Sequence, residues 1–344
     1  MISRIFMFSA ASLLTIVTRA AVAAEPMYVL ERTIPLGAGE RWDYVTYDRN
    51  ADRAYVAHGD HVTVVDVAKG AVVGDIGTFP GGTHGIGIAA GAGVGFTDDG
   101  KAGSIAPFDL KSLKTGKVLK GSEDADGIVF DSSSGHVFVI NGDSGSITVV
   151  DPASRAIVAT VTVGSGLEAG AADGKGRLFV DGVVQHDIVV VDTKTNKVTA
   201  HYPMAGCERP HGIAVDAAAR RVFATCVNKI MIVVDADTGK TIASLPIGSG
   251  SDGAVFDPVR KRAISSNGEG SITVIEEKDA DHFVSLGDVA TAKSARTIAI
   301  DTTTGRLFLP AADIEKMGPA DANGRARPIY KAGSLKLLVY APAK

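Results

Sequence analysis

Short runs of β-branched and aromatic residues, bounded by Asp, Gly and Thr-Gly turns, follow one another along nearly the whole chain. The clearest stretch reads His211-Gly-Ile-Ala-Val-Asp216, Arg221-Val-Phe-Ala224, Met231-Ile-Val-Val-Asp235 and Thr238-Gly-Lys-Thr-Ile-Ala-Ser-Leu-Pro-Ile-Gly248. The first three runs predict short strands. The Asp and Gly residues between them supply turns by bonding nearby backbone or adopting positive φ. Thr238-Gly239-Lys240 predicts a hairpin turn into a fourth, outer strand. No long amphipathic helical pattern occurs.

The same sequence of elements recurs. Asp126-Gly-Ile-Val-Phe-Asp131 leads to His136-Val-Phe-Val-Ile140 and Ile147-Thr-Val-Val-Asp151. Asp252-Gly-Ala-Val-Phe-Asp257 leads to Arg262-Ala-Ile264 and Ile272-Thr-Val-Ile275, and Asp43-Tyr-Val-Thr-Tyr-Asp48 to Arg53-Ala-Tyr-Val56 and Val62-Thr-Val-Val-Asp66. Weaker copies start at His84, Glu168 and Arg296. The seven starts are spaced 41, 42, 42, 43, 41 and 44 residues apart. A period of about 40–45 residues with four strands per unit is that of a β-propeller blade. One such sheet cannot cover its own faces, so the units stack radially. The expectation is an all-β, seven-bladed β-propeller of four-stranded antiparallel blades. Its last copy lacks a fourth strand, whereas residues 28–36 form an orphan strand ending in Pro35-Leu-Gly37, like Leu245-Pro-Ile-Gly248. The N-terminal strand is therefore expected to complete the last blade and close the ring.

Residues 1–24 read as an export signal: Arg4, an apolar stretch from Ile5 to Val17, and small residues Ala21 to Ala24 at the cleavage site. The alternative is an uncleaved anchor. Residues 25–344 form the single propeller domain, and no later segment could cross a bilayer as a helix. The expected location is the periplasm or outside the cell. The chain is 45% hydrophobic and 22% charged, with 40 glycines, as suits a soluble domain with many turns. After removal of residues 1–24, 33 basic residues stand against 39 acidic ones, which argues against nonspecific nucleic-acid binding. In an oxidising compartment Cys207 and Cys226 are expected to pair. Cys226 ends the second strand of its blade and is expected opposite His211, close to Cys207. A thiol metal site is the alternative, without a third cysteine to support it.

The repeated Ala-Val-Asp, Arg-Val-Phe, Val-Val-Asp and Thr-Gly-Lys elements resemble the YncE-like, YVTN-type β-propeller repeat family over essentially the whole mature chain. The resemblance implies an exported propeller without a defined role. Some members resemble DNA- or surface-binding proteins, a role the acidic balance here opposes. The copper-bearing propeller of nitrous oxide reductase differs in its histidine-rich hub and its appended cysteine-bearing domain.

The residue that opens each innermost strand can be followed around the ring: Asp43, His84, Asp126, Glu168, His211, Asp252, Arg296. All seven are polar, and the strand starts share one mouth of the central channel. Turn or cap chemistry explains such residues as well. However, the residue type varies between blades here, whereas the turn aspartates Asp66, Asp151, Asp192 and Asp235 repeat unchanged. Two imidazoles and two carboxylates on one arc, His84, Asp126, Glu168 and His211, suit a divalent cation such as zinc, manganese or iron. A hydrated rim without metal is the alternative. On the other arc Arg296 lies between Asp252 and Asp43, a self-neutralising arrangement.

The same face carries loops with His58, Asp60, His61, Asp98, Asp99, Asn141, Asp143, Asp181, His186, Asp187, Asn228, Asn267 and Glu269, mostly expected as solvated turn residues. The longest loop, Ala311 to Gly333, carries Lys316, Arg325, Arg327 and Tyr330. It is expected to fold over the mouth and present cations to an anionic ligand; a disordered excursion is the alternative. Trp42 and Arg41 flank Asp43, and Trp42 suits either a ligand or a blade interface.

No phosphate-binding glycine loop or Gly-x-Ser-x-Gly elbow is present. The function expected first is a monomeric binding or scaffold protein, with a small molecule, divalent metal or partner protein at the mouth. A metal-dependent lactonase or lyase using the same hub is the alternative. A quinone-dependent dehydrogenase is disfavoured by the single tryptophan.

Overall fold

The computed structural model describes residues 27–343 apart from 40, 165 and 321–325. The proposed signal segment therefore lies outside the described residues. Seven four-stranded antiparallel sheets make a seven-bladed β-propeller. The fifth blade is representative, with strands Pro210–Asp216, Arg221–Cys226, Ile230–Asp235 and Thr241–Pro246 from the axis outwards. The only helix among the described residues is a single 3₁₀ turn, Ala90–Ala92.

Each element follows from its local chemistry. Second strands carry a bulky residue at one repeated position, and Tyr55, Phe96, Phe138, Phe179, Phe223 and Phe308 are all fully buried. They fill the spaces between neighbouring blades. Phe223 stacks on Phe256 of the next blade with ring centroids 5.4 Å apart. Tyr47 stacks on Phe308 across the seam at 4.5 Å. Burying one such ring contributes about 2–3 kcal/mol.

The turn aspartates behave as expected. Asp235 Oδ1 accepts the backbone N–H groups of Asp237 and Thr238 at 3.0 and 2.9 Å. Asp151 and Asp192 hold their turns in the same way.

The last blade combines both ends of the chain. Its order from the axis is Ala299–Ile300, Leu307–Ala311, Leu335–Pro342 and Tyr28–Gly37. Tyr28 pairs with Pro342, and Gly37 with Leu335.

The long loop of this blade is an ordered β-hairpin over its described part. Its strands are Ile314–Ala320 and Ala326–Tyr330.

Cys207 and Cys226 form a disulfide with Cα atoms 5.5 Å apart. The register corrects one detail. Cys226 lies opposite Pro210, because His211 occupies a bulge that offsets the pairing by one residue.

The expectation of solvated turn residues on the mouth loops also needs correction. His58, Asp98, Asp99, Asn141, Asp181, Asp187 and Asn267 are buried. Asp98 and Asn141 use this burial to hold backbone groups. Asn141, for example, donates to the Ser146 carbonyl at 3.0 Å and the Thr148 hydroxyl at 3.1 Å.

Candidate functional site

Five of the seven residues that open the inner strands stand at irregularities in the ladder. In blades 5 and 6 the pairing skips His211 and Asp252. In blades 3 and 4 it breaks across Asp126 and Glu168. In blade 1 Asp43 donates its N–H to the Ala57 carbonyl, while Ala57 donates to that of Tyr44, so two residues face one. A bulge leaves its extra residue unpaired and re-aims the side chain.

Close approach of the inner strands explains the residues that follow. A Cβ on Gly212 would lie 2.8 Å from the backbone of Gly253, and one on Gly85 would lie 2.1 Å from the Asp126 carbonyl oxygen. Glycine is required where neighbouring blades meet backbone to backbone.

Five of the seven side chains are linked in sequence around the ring. His211 Nδ1 lies 3.6 Å from Glu168 and 3.8 Å from Asp252. Arg296 Nε meets Asp252 at 2.7 Å, and its terminal nitrogen lies 3.8 Å from Asp43. Arg296 also donates to the Trp42 carbonyl at 2.8 Å and lies over the Trp42 ring, 5.4 Å from its centroid.

His84 is held from behind, with Nδ1 2.9 Å from Asp98. The other Asp98 oxygen accepts the backbone N–H groups of His84 and Gly85, both at 2.9 Å. Asp126 makes no ion pair among the described residues.

The electrostatics follow this wiring. Burial pushes Asp43 up to about 6, although Arg296 and His84 pull it down. Burial opposes protonation of His84, yet Asp98, Asp126 and Asp43 carry it up to about 9. Burial and the neighbouring charges of Glu168 and Asp43 hold Asp126 well above the usual carboxylate range. Asp252 is raised by burial against the pull of Arg296 and His211. For His211, burial works against protonation, and Glu168 and Asp252 more than offset it.

Among the described residues, no three His, Cys, Asp or Glu side chains are arranged to hold a metal ion. The His84–Asp126–Glu168–His211 arc is not such a group. Nδ1 of His84 is committed to Asp98, and that of His211 faces Glu168 and Asp252.

Tyr44 is the residue that sequence reasoning missed. From blade 1 it packs against the cluster that includes Ala169 and Ile213 in blades 4 and 5, so its side chain lies across the bore. The remaining space there, about 150 Å³, is lined by Tyr44 and small residues such as Gly85, Gly127, Gly212 and Gly253. The Tyr44 hydroxyl is buried without a hydrogen-bond partner. Burial and the charges of Glu168, Asp126, Asp43 and Asp252 raise its pKa well above the normal tyrosine value.

Its signal was present in the repeat. Where other blades have Gly85, Gly127, Ala169, Gly212, Gly253 and Thr297, blade 1 alone has a bulky residue. Asp181, beside Glu168, was missed as a buried group. It is 0% exposed, and neither carboxyl oxygen has a partner.

The hairpin forms a second wall. Tyr330 packs on Trp42 with ring centroids 4.7 Å apart. Between hairpin and ring lies a cavity of about 540 Å³, lined by Arg41, Trp42, Asp43, Arg296 and Arg327 together with residues 328–330. Of the other loop cations, Lys316 is exposed and does not line it, and Arg325 lies outside the described residues.

These features define a seven-bladed β-propeller with a charged channel mouth. A chain in a structure titled "Crystal Structure of Mitotic Checkpoint Complex" is similar over 99% of both chains, with a TM-score of 0.74 and 12% identity. At that identity the likeness carries the fold alone. No protein-family model and no curated protein matches the chain. Among the described residues, no helix is long and apolar enough to cross a membrane.

Proposed function

We propose that this is an exported, YncE-like binding protein that holds a small anionic ligand at the channel mouth, beneath the hairpin. The observation that supports this reading is the composition of the hairpin cavity. Three guanidinium groups, Arg41, Arg296 and Arg327, face one carboxylate, Asp43, and the aromatic rings of Trp42 and Tyr330 complete the wall. Guanidinium groups bind carboxylates and phosphates through paired donors, and aromatic faces take up the apolar part of such a ligand. The volume of about 540 Å³ falls within the range of small-molecule sites, roughly 300–1,000 Å³. Trp42 is 4% exposed, and its indole N–H has no partner, leaving one further donor on that wall. The disulfide is consistent with an oxidising compartment.

The chain's single tryptophan lies in this wall, so its emission reports directly on occupancy. Titration with benzoate, phthalate and inorganic phosphate tests the reading. Saturable change in Trp42 emission with at least one of them, weakened about tenfold in Arg327→Ala, is expected. Unchanged emission and melting temperature at millimolar concentrations of all three overturns it.

A further inference from the structure

We infer that the opposite side of the mouth, formed by Asp126, Glu168 and Tyr44, binds a primary ammonium group. The inference rests on the preceding reading only in placing the ligand at this mouth. It adds that the ligand carries a positive charge as well as a negative one.

Three observations converge on this side of the ring. Asp126 has no ion pair among the described residues, although it lies on a ring where Asp252 and Asp43 share Arg296. Among the described residues, Glu168 meets only the His211 nitrogen, at 3.6 Å. The Tyr44 hydroxyl is buried and unpartnered, and Glu168 and Asp126 are the charges that most affect it. Behind Glu168, Asp181 is fully buried with both oxygens unsatisfied, which adds to the unbalanced acidity.

An ammonium has three N–H donors and no acceptor. Two carboxylates and a phenolic oxygen offer it three acceptors, and the Tyr44 ring offers an aromatic face. A guanidinium is less suited, because its planar fork prefers a bidentate carboxylate. A quaternary ammonium lacks the donors. The arcs containing Arg296 and Asp126 stand on opposite sides of a bore that Tyr44 spans. A molecule about as long as a tyrosine side chain could therefore meet the arginines at one end and this acid pair at the other.

Binding has a proton signature. Burial, Glu168 and Asp43 raise the Asp126 carboxyl well above the usual carboxylate range, with His84 acting in the opposite sense and Asp98 adding to the repulsion. An arriving cation favours the carboxylate, so Asp126 releases a proton on binding.

The test uses n-butylammonium as probe, with tetramethylammonium and butanol as controls at equal ionic strength. Calorimetry of the mature chain in two buffers of different ionisation enthalpy is expected to show saturable n-butylammonium binding with proton release. Neither control should bind. Asp126→Asn and Glu168→Gln should each weaken binding about tenfold, and Tyr44→Phe by a smaller factor. Asp126→Glu, which keeps the charge, should retain most of the affinity and guards against loss of fold in the amide variant. Equal binding of n-butylammonium and tetramethylammonium overturns the inference, as does affinity unchanged in both amide variants or absence of n-butylammonium binding. The Trp42 response to benzoate, read on the same samples, separates the two readings. If it persists while n-butylammonium fails, only the ammonium subsite falls; the converse removes only the anion site.

Discussion

The two sides of the channel mouth are built from the same repeat position yet differ in how they handle charge. On the side of blades 6, 7 and 1, Arg296 is held by Asp252 at 2.7 Å, by the Trp42 carbonyl at 2.8 Å and near Asp43 at 3.8 Å. On the side of blades 3 and 4, burial and the charge of Glu168 raise the cost of ionising Asp126, and Asp181 lies buried with neither carboxyl oxygen partnered among the described residues. On the first side the ring carboxylates already have a cation between them, in Arg296. The second carries a charge imbalance that folding alone does not remove. The difference teaches that a ring of polar residues is not one feature: partners decide which members stabilise the wheel and which stay available.

The sharpest way to break this comparison is Arg296→Met. It leaves Asp252 and Asp43 without their cation, and a loss of about 3 kcal/mol in denaturant unfolding is expected. A cost no greater than that of Asp126→Asn would erase the distinction between the two sides.

His84 gives the next largest effect, expressed through pH. Its folded pKa, about 9, exceeds the unfolded value of about 6.5. The stabilisation is fully present below about 6.5 and is lost as pH rises through about 9. Unfolding midpoints measured from pH 6 to pH 10 should therefore fall across this window by the equivalent of about 1–2 kcal/mol, discounted for coupling to its neighbours. In His84→Gln that part of the slope should disappear.

The smallest effect belongs to Asp126→Asn. Its raised pKa means that ionisation opposes folding as pH climbs above the unfolded carboxylate value. The amide should be neutral to stabilising at pH 7, by up to about 1 kcal/mol, because it removes a repelled buried acid. Clear destabilisation in a thermal melt would mean that Asp126 has a partner in solution.

The fold was legible because it is written seven times. Strand residues, turn aspartates and the seam between residues 28–37 and 335–342 all repeat or complete a pattern. The seven ring positions could be read from the same periodicity, but their wiring could not. Whether His84 turns to Asp126 or back to Asp98 depends on a rotamer and on a second strand fourteen residues away. The one-residue offset at Cys226 arises from a bulge, which a strand pattern does not mark. Asp98 and Asp181 occupy corresponding places in their blades, yet Asp98 anchors a histidine and Asp181 anchors nothing. That difference depends on whether the facing residue is a histidine with N–H groups to offer or a glutamate. Tyr44 could have been found by reading the position after each ring residue rather than the ring residues themselves.

The pairing of Tyr28–Gly37 with Leu335–Pro342 also sets a timetable for the nascent chain. The strand Tyr28–Gly37 has no partner until residues 335–342 have left the ribosome. Six blades can assemble on the way, but the wheel stays open at one spoke until residues 335–342 are made. A chain released early, before residue 335, keeps an unsealed rim with two bare sheet edges, which is the form quality-control proteases and aggregation would meet first.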